Sequence, residues 1–152
     1  MSAAVFLGAS NISLDAKGRL AVPMKHREPL AGKSGSGKLV LTAHPQGALL
    51  LYPLAAWEPI LARVMTFPSL DATASAWKRL LMGFADEQSL DNSGRILISP
   101  ELRNYAGIEK QVMFVGQGSH FEIWNVSAWD AQVSGVKLGT AGLPPGTENF
   151  SL

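Results

Sequence analysis

The sequence contains no cysteine, so neither a disulfide framework nor a thiolate metal site can exist. That absence suits a reducing cytoplasm. No apolar run approaches the roughly 20 residues of a membrane helix. Residues 1–15, MSAAVFLGASNISLD, lack both a basic start and an unbroken apolar stretch, and no secretion signal is expected there. Charge is also sparse: 16% of residues are charged against 47% apolar, which fits neither a disordered chain nor a coiled coil but supplies a core. At 152 residues the chain suits one compact domain, or two half-domains that fold together.

The usual constellations of catalysis are missing too. Gly32-x-x-x-x-Gly37-Lys38 has the spacing of a phosphate-binding loop, but Leu39 stands where a magnesium-binding Ser or Thr is required. The segment also leads into the strand-like Leu39-Val40-Leu41 instead of a helix, so a flexible linker is expected. His26, His44 and His120 are scattered without metal-ligand spacing. His44 and His120 lie near expected turns, and His26 lies among basic residues. There is no Gly-x-Ser-x-Gly elbow and no catalytic-looking carboxylate pair. Neither an enzyme nor a cofactor is expected. Trp57, Trp77, Trp124 and Trp129 could stack on bases, but their helix or strand spacing favours packing.

What is present is polarity along the chain. Residues 1–38 carry Lys17, Arg19, Lys25, Arg27, Lys33 and Lys38 against Asp15 and Glu28, a balance of +4. Residues 39–85 balance at +1, and residues 86–152 at −4. An overall charge of +1 therefore hides a basic first third, as a surface for an anionic partner would require.

A repeat is present as well. Leu14-Asp15-Ala16-Lys17-Gly18-Arg19-Leu20-Ala21-Val22-Pro23 matches Leu90-Asp91-Asn92-Ser93-Gly94-Arg95-Ile96-Leu97-Ile98-Ser99, and Arg27 and Arg103 follow in register. Downstream, Leu49-Leu50-Leu51-Tyr52 matches Phe121-Glu122-Ile123-Trp124, and Ala56-Trp57 matches Ala128-Trp129. The offset falls from 76 to 72 between these blocks, which places four extra residues in the Gly-rich stretch around 32–38. Polar loops tolerate such insertions.

Each copy reads as strand, tight loop, strand, short helix, hairpin, helix. Short apolar alternation at 19–22 and 95–98 predicts half-buried strands. In each preceding Asp-x-x-Gly loop, Asp can accept from its own downstream backbone and Gly can take positive φ. Segments 39–43 with 49–52, and 112–115 with 121–124, predict hairpins. Trp57, Ile60, Leu61 and Val64, then Trp77, Leu80, Leu81 and Phe84, have helical spacing, predicting helices over 54–66 and 70–84. Ser127-x-x-Asp130 predicts a capping box for a last helix. The division expected is a first half-domain at 1–53, connecting helices at 54–85, a second half-domain at 86–135 and a loosely ordered tail at 136–152.

The segments Leu14–Pro23, Leu49–Trp57, Lys78–Gly83, Leu90–Ser99 and Val112–Trp129 together resemble the MraZ family of bacterial regulators, in the AbrB-like swapped-hairpin superfamily. The resemblance covers nearly the whole chain and fades after about residue 135. It implies an α+β fold of two AbrB-like swapped-hairpin half-barrels forming one pseudo-two-fold β-barrel with packed helices. It also implies a ring-shaped homo-oligomer that binds short, guanine-rich direct repeats upstream of the division and cell-wall gene cluster. Double-stranded DNA and further copies of the chain are then the partners, with no membrane and no small-molecule substrate, in cytoplasm at the nucleoid.

The residues fit that implication. An arginine held on a stiff turn can bond two acceptors of a guanine edge, worth roughly 1–3 kcal/mol of discrimination. A neighbouring lysine would contact phosphate, which positions without specifying sequence. Arg19 with Lys17 has this arrangement, shaped by Asp15 and Gly18. Lys25, Arg27 and Arg95 complete the candidate DNA contacts, with Asp91 and Gly94 shaping the second loop. Ser93 stands where Lys17 does, in an acidic third, so less is expected of Arg95. In the competing reading each arginine ion-pairs with its motif aspartate and only shapes the turn. A second function class, an AbrB-like antitoxin-type partner-binding module, usually carries one motif copy and a long tail; two copies and a short tail favour the regulator.

Overall fold

The computed structural model describes residues 4–32, 37–137 and 142–151. In the first copy, strands β1 (Ala9–Ser13) and β2 (Arg19–Ala21) lead to helix α1 (Met24–Ala31). The hairpin β3 (Lys38–Ala43) and β4 (Leu49–Pro53) and helix α2 (Leu54–Met65) follow. Helix α3 (Ala72–Gly83) leads into the second copy: β5 (Asp86–Ser89), β6 (Arg95–Leu97), α4 (Pro100–Ala106), β7 (Gln111–Gly116), β8 (Phe121–Asn125) and α5 (Val126–Lys137). The mixed α+β class expected from the sequence is observed. No helix among the described residues is long and apolar enough to cross a membrane.

One six-stranded sheet runs β1-β7-β8-β4-β3-β5, with every neighbouring pair antiparallel. Exchanging the copies reverses this order and leaves it otherwise unchanged. Each copy's first strand pairs with the other copy's hairpin: β1 with β7, and β5 with β3. A separate two-stranded ribbon pairs β2 with β6 across the copies. Leu50 opposite Glu122, and Leu20 opposite Ile96, join equivalent positions and mark the pseudo-two-fold axis. The sheet is open: among the described residues β1 and β5 are its edges and do not pair.

The strand sequences fit their places. Central β3 and β4, KLVLTA and LLLYP, are apolar almost throughout because both faces are covered. Edge strands β1 and β5, ASNIS and DEQS, are polar and half exposed, which discourages edge-to-edge association. The main core lies on one face, where Phe114 stacks on Phe121 at 4.2 Å and Phe6 follows at 4.7 Å, among Leu49, Leu51 and Ile123. On the other face α2 and α3 cover Val40, Leu50 and Tyr52 around Trp57, while α5 covers Val115 and Trp124. Thr42, fully buried, ties α3 to the sheet by donating its hydroxyl to the Leu81 carbonyl at 2.8 Å.

Several local expectations need correction. The last helix has no capping box: α5 already begins at Val126, and Asn125 caps it by accepting from the Ala128 amide at 3.1 Å. Ser127 lies inside the first turn. The four extra residues of the first copy are also divided. Strand pairing aligns Lys38 with Gln111, so three precede β3, and the fourth lengthens the hairpin turn, 44–48 against 117–120. Of the Gly32–Lys38 stretch, residues 33–36 lie outside the described residues; Lys38 opens β3, as its strand-like sequel requires, and pairs with Glu87 at 2.8 Å. In the tail, 138–141 and 152 lie outside the described residues, and α5 runs on to Lys137.

The histidines sit less in solvent than their turns suggested. His44 Nε2 lies 3.2 Å from Glu122, and His120 stacks on Tyr52 at 4.4 Å. Burial pushes the His120 pKa down. His26 packs edge-on against Phe121 at 4.9 Å. Trp57 and Trp124 are buried as packing residues, but Trp77 on α3 is 41% exposed.

Candidate nucleic-acid interface

The two Asp-x-x-Gly-Arg loops are built alike. Asp15 Oδ1 accepts from the Lys17 and Arg19 amides at 3.0 and 2.9 Å, closing the turn. Gly18, at φ +85°, lets the chain double back, and its amide donates to the Asp15 carbonyl at 3.0 Å. Asp91 repeats this with Ser93 and Arg95, both at 2.9 Å, around Gly94 at φ +74°. The second carboxylate oxygen of each aspartate accepts from its arginine's Nε, at 2.6 Å for Arg19 and 2.9 Å for Arg95. The Arg19 backbone amide, above all, holds the Asp15 pKa at about 2, against partial desolvation that pushes it up. The Arg95 amide lowers Asp91 in the same way.

Pairing of β2 with β6 brings the loops side by side. Leu20 and Ile96 point inward and are buried, while Arg19, Ala21, Arg95 and Leu97 form the outer row. Arg19 faces Leu97 and Arg95 faces Ala21, so the guanidinium groups lie diagonally across the ribbon. Asp15 serves both: Arg95 Nη1 comes within 3.8 Å of its Oδ2. The ion-pairing that the competing reading foresaw is therefore present. In both loops the motif aspartate bonds Nε, and Arg95 in addition sets its Nη1 against Asp15. Among the described residues, neither Nη of Arg19 has an acceptor within hydrogen-bonding distance. Both side chains are 31% exposed, and ion pairs so exposed add little stability. Their effect is to fix where the guanidinium forks point.

The other candidates are spread around this ribbon. Lys17 is exposed on the first loop and Ser93 on the second. Lys25 is exposed on α1. Arg27 is half-buried, and its Nε is committed to the Val22 carbonyl at 2.8 Å. Two residues outside the candidate DNA contacts belong here. Arg103 matches Arg27, donating Nε to the Ile98 carbonyl at 3.0 Å. Gln88 braces the ribbon's outer edge, donating to the Leu97 carbonyl at 2.9 Å and accepting from its amide at 2.8 Å. The eight-residue spacing from motif arginine to helix arginine was the available signal for Arg103; nothing in the sequence marked Gln88.

A duplicated α+β chain that sets two arginine-tipped turns on one cross-copy ribbon is the class that fold and site define. The sequence model of the family described as "MraZ protein, putative antitoxin-like" matches residues 5–80 and again 81–139, and the chain belongs to this family. It is 56% identical to the transcriptional regulator MraZ of Methylobacillus flagellatus, over 97% of this chain and 100% of that one. The proteins of that name from Aromatoleum aromaticum and Azoarcus sp. are 50% and 46% identical, over the same shares.

Proposed function

We propose that the chain is a sequence-specific DNA-binding transcriptional regulator that reads double-stranded DNA with the β2–β6 ribbon. The observation that carries this reading is the convergence of two Asp-braced arginines on one two-stranded ribbon. A ribbon of that kind fits the major groove, roughly 12 Å wide, where a bidentate arginine selects guanine. The relatives named as transcriptional regulators support it. Arg19 reads a base edge and Lys17 and Lys25 hold phosphates. Arg95 acts beside Arg19 with less electrostatic support.

In this reading each copy is an AbrB-like half-domain, spanning 1–53 and 86–135 and joined by the helices at 54–85, and cross-copy pairing makes them a swapped-hairpin pseudo-barrel. The protein works as a ring-shaped homo-oligomer on guanine-rich direct repeats upstream of the division and cell-wall genes, at the nucleoid, without catalysis. One loop pair makes few phosphate contacts, and repetition around a ring would supply avidity. Met65, Leu70, Trp77 and Met82, exposed along the α2–α3 corner, offer the subunit contact. Sedimentation at micromolar concentration should show a multi-subunit species; monomer alone would sink the ring.

The decisive test is binding to the protein's own upstream region against random DNA. A folded, assembled Arg19→Ala protein should lose selectivity by roughly 1–3 kcal/mol per engaged guanine. Undiminished selectivity would defeat the proposal. The antitoxin-type alternative predicts instead a protein ligand as the main partner, with DNA touched secondarily.

A further inference from the structure

We infer that Arg27 and Arg103 are positioning residues that each hold the other copy's DNA-reading loop. Arg103, on α4 of the second copy, reaches the first copy's loop at Gly18. A Cβ placed on Gly18 would lie 2.8 Å from Arg103 Nε and 2.9 Å from both its Cζ and the Ile98 carbonyl oxygen. The glycine is therefore flush against the guanidinium. Ile98, just past β6, closes the contact, because its amide donates to the Gly18 carbonyl at 2.9 Å while its carbonyl accepts from Arg103 Nε at 3.0 Å. The second loop mirrors this: the Val22 amide donates to the Gly94 carbonyl at 2.9 Å and the Val22 carbonyl accepts from Arg27 Nε at 2.8 Å. The space of a Gly94 Cβ is filled by the Arg27 guanidinium.

Each reading loop thus rests on two supports. Its own aspartate aims the reading arginine, and the other copy's helix arginine and the residue just past its ribbon strand fix the turn. A planar guanidinium suits the flat face that glycine exposes, with Nε–H directed at one carbonyl. Arg27, a candidate DNA contact by sequence, then acts through Gly94 and Arg95. Arg103 acts through Gly18 and Arg19, although it lies in the acidic third.

The DNA arm of the test rests on the proposed function; the first arm does not. Substitute Lys or Gln at Arg27 and at Arg103, and follow amide hydrogen exchange across 15–19 and 91–95 in the free protein. Lysine keeps the charge but puts carbon where Nε was. Glutamine loses the charge but keeps an N–H donor at that place. Arg103→Lys should speed exchange in 15–19 by about tenfold and spare 91–95, Arg27→Lys should do the reverse, and the Gln variants should be the better protected. Protection changes confined to the variant's own copy, or equal in both loops, would overturn the inference, as would no change.

On DNA, Arg103→Lys should relax selectivity about tenfold at the base that Arg19→Ala relaxes, leaving the salt dependence unaltered. If Arg27→Gln instead weakened all sequences alike and Arg27→Lys restored binding, Arg27 would be a phosphate contact and the inference wrong. A parent protein with no sequence preference would defeat the proposed function, whereas the crossed support of the loops would still stand or fall on the exchange pattern.

Discussion

Replacing Gly18 with alanine should cost markedly more stability than replacing Gly47, although both have strongly positive φ, +85° and +93°. Forcing alanine into that region costs roughly 1–2 kcal/mol at either site. Loss of unfolded-chain entropy returns about 0.4–1 kcal/mol in both cases. These effects cancel in the comparison, and space decides the remainder. At Gly47 a Cβ meets nothing within 4 Å, whereas at Gly18 it would lie 2.9 Å from a backbone oxygen, Ile98, as well as against Arg103. Backbone hydrogen-bonded to the turn itself, as Ile98 is, cannot yield cheaply, and overpacking of this kind costs about 1–3 kcal/mol. Gly94→Ala should fall between them, because the atoms its Cβ would meet belong to the flexible Arg27 side chain. Urea unfolding at one fixed protein concentration measures the three midpoints, with unchanged slopes showing that only stability has moved. A Gly18→Ala midpoint equal to that of Gly47→Ala would refute the close approach and the cross-copy support drawn from it.

Lys17→Ala should weaken binding to cognate and random DNA alike and flatten the salt dependence by about one unit, measured by titration at several salt concentrations. The depressed Asp15 pKa, about 2 against the ordinary 3.8, means that the folded state binds this proton more weakly than the unfolded chain. Its stabilising contribution is complete above about pH 4 and disappears as pH falls towards 2, so Asp15→Asn should flatten the acid limb of thermal stability in that window. Thr42→Val should destabilise by about 1–3 kcal/mol in urea, because it leaves the Leu81 carbonyl without the donor that ties α3 to the sheet.

The fold was legible where pattern and repeat agreed. Apolar runs predicted β3, β4, β7 and β8, helical spacing predicted α2 and α3, and Asp-x-x-Gly predicted both turns. The edge strands were legible only through the repeat, as the strand ahead of each tight loop: Asp86-Glu87-Gln88-Ser89 has no apolar period of its own, and it becomes β5 because β3 offers it a partner. The capping box failed for a local reason, since Asn125, a strand residue, reaches the helix amides first. The loops' chemistry was readable as residue types at a spacing. Their mutual support was not, because Arg103 and Gly18 are far apart in sequence and meet only through pairing of β2 with β6. For Trp77 helical periodicity gave only the face: it places a residue on one side of α3 without showing whether this chain or a second copy covers that side.

Duplication explains why the backbone is nearly two-fold, and the side chains show where the copies have diverged. On the ribbon the axis falls between Leu20 and Ile96, both buried and apolar, so symmetry is kept where the loops must be held. Within the sheet the axis falls between Leu50 and Glu122, and here it is broken. Burial pushes the Glu122 pKa up, but bonds from His44 and Trp124 outweigh it and draw the pKa down. An acid in that position is tolerable because His44 comes from the longer hairpin turn of the first copy and Trp124 donates at 2.8 Å. The loops are broken in the opposite sense, with Lys17 against Ser93 on otherwise superposable turns. A symmetric scaffold with unequal tips gives the ribbon a direction.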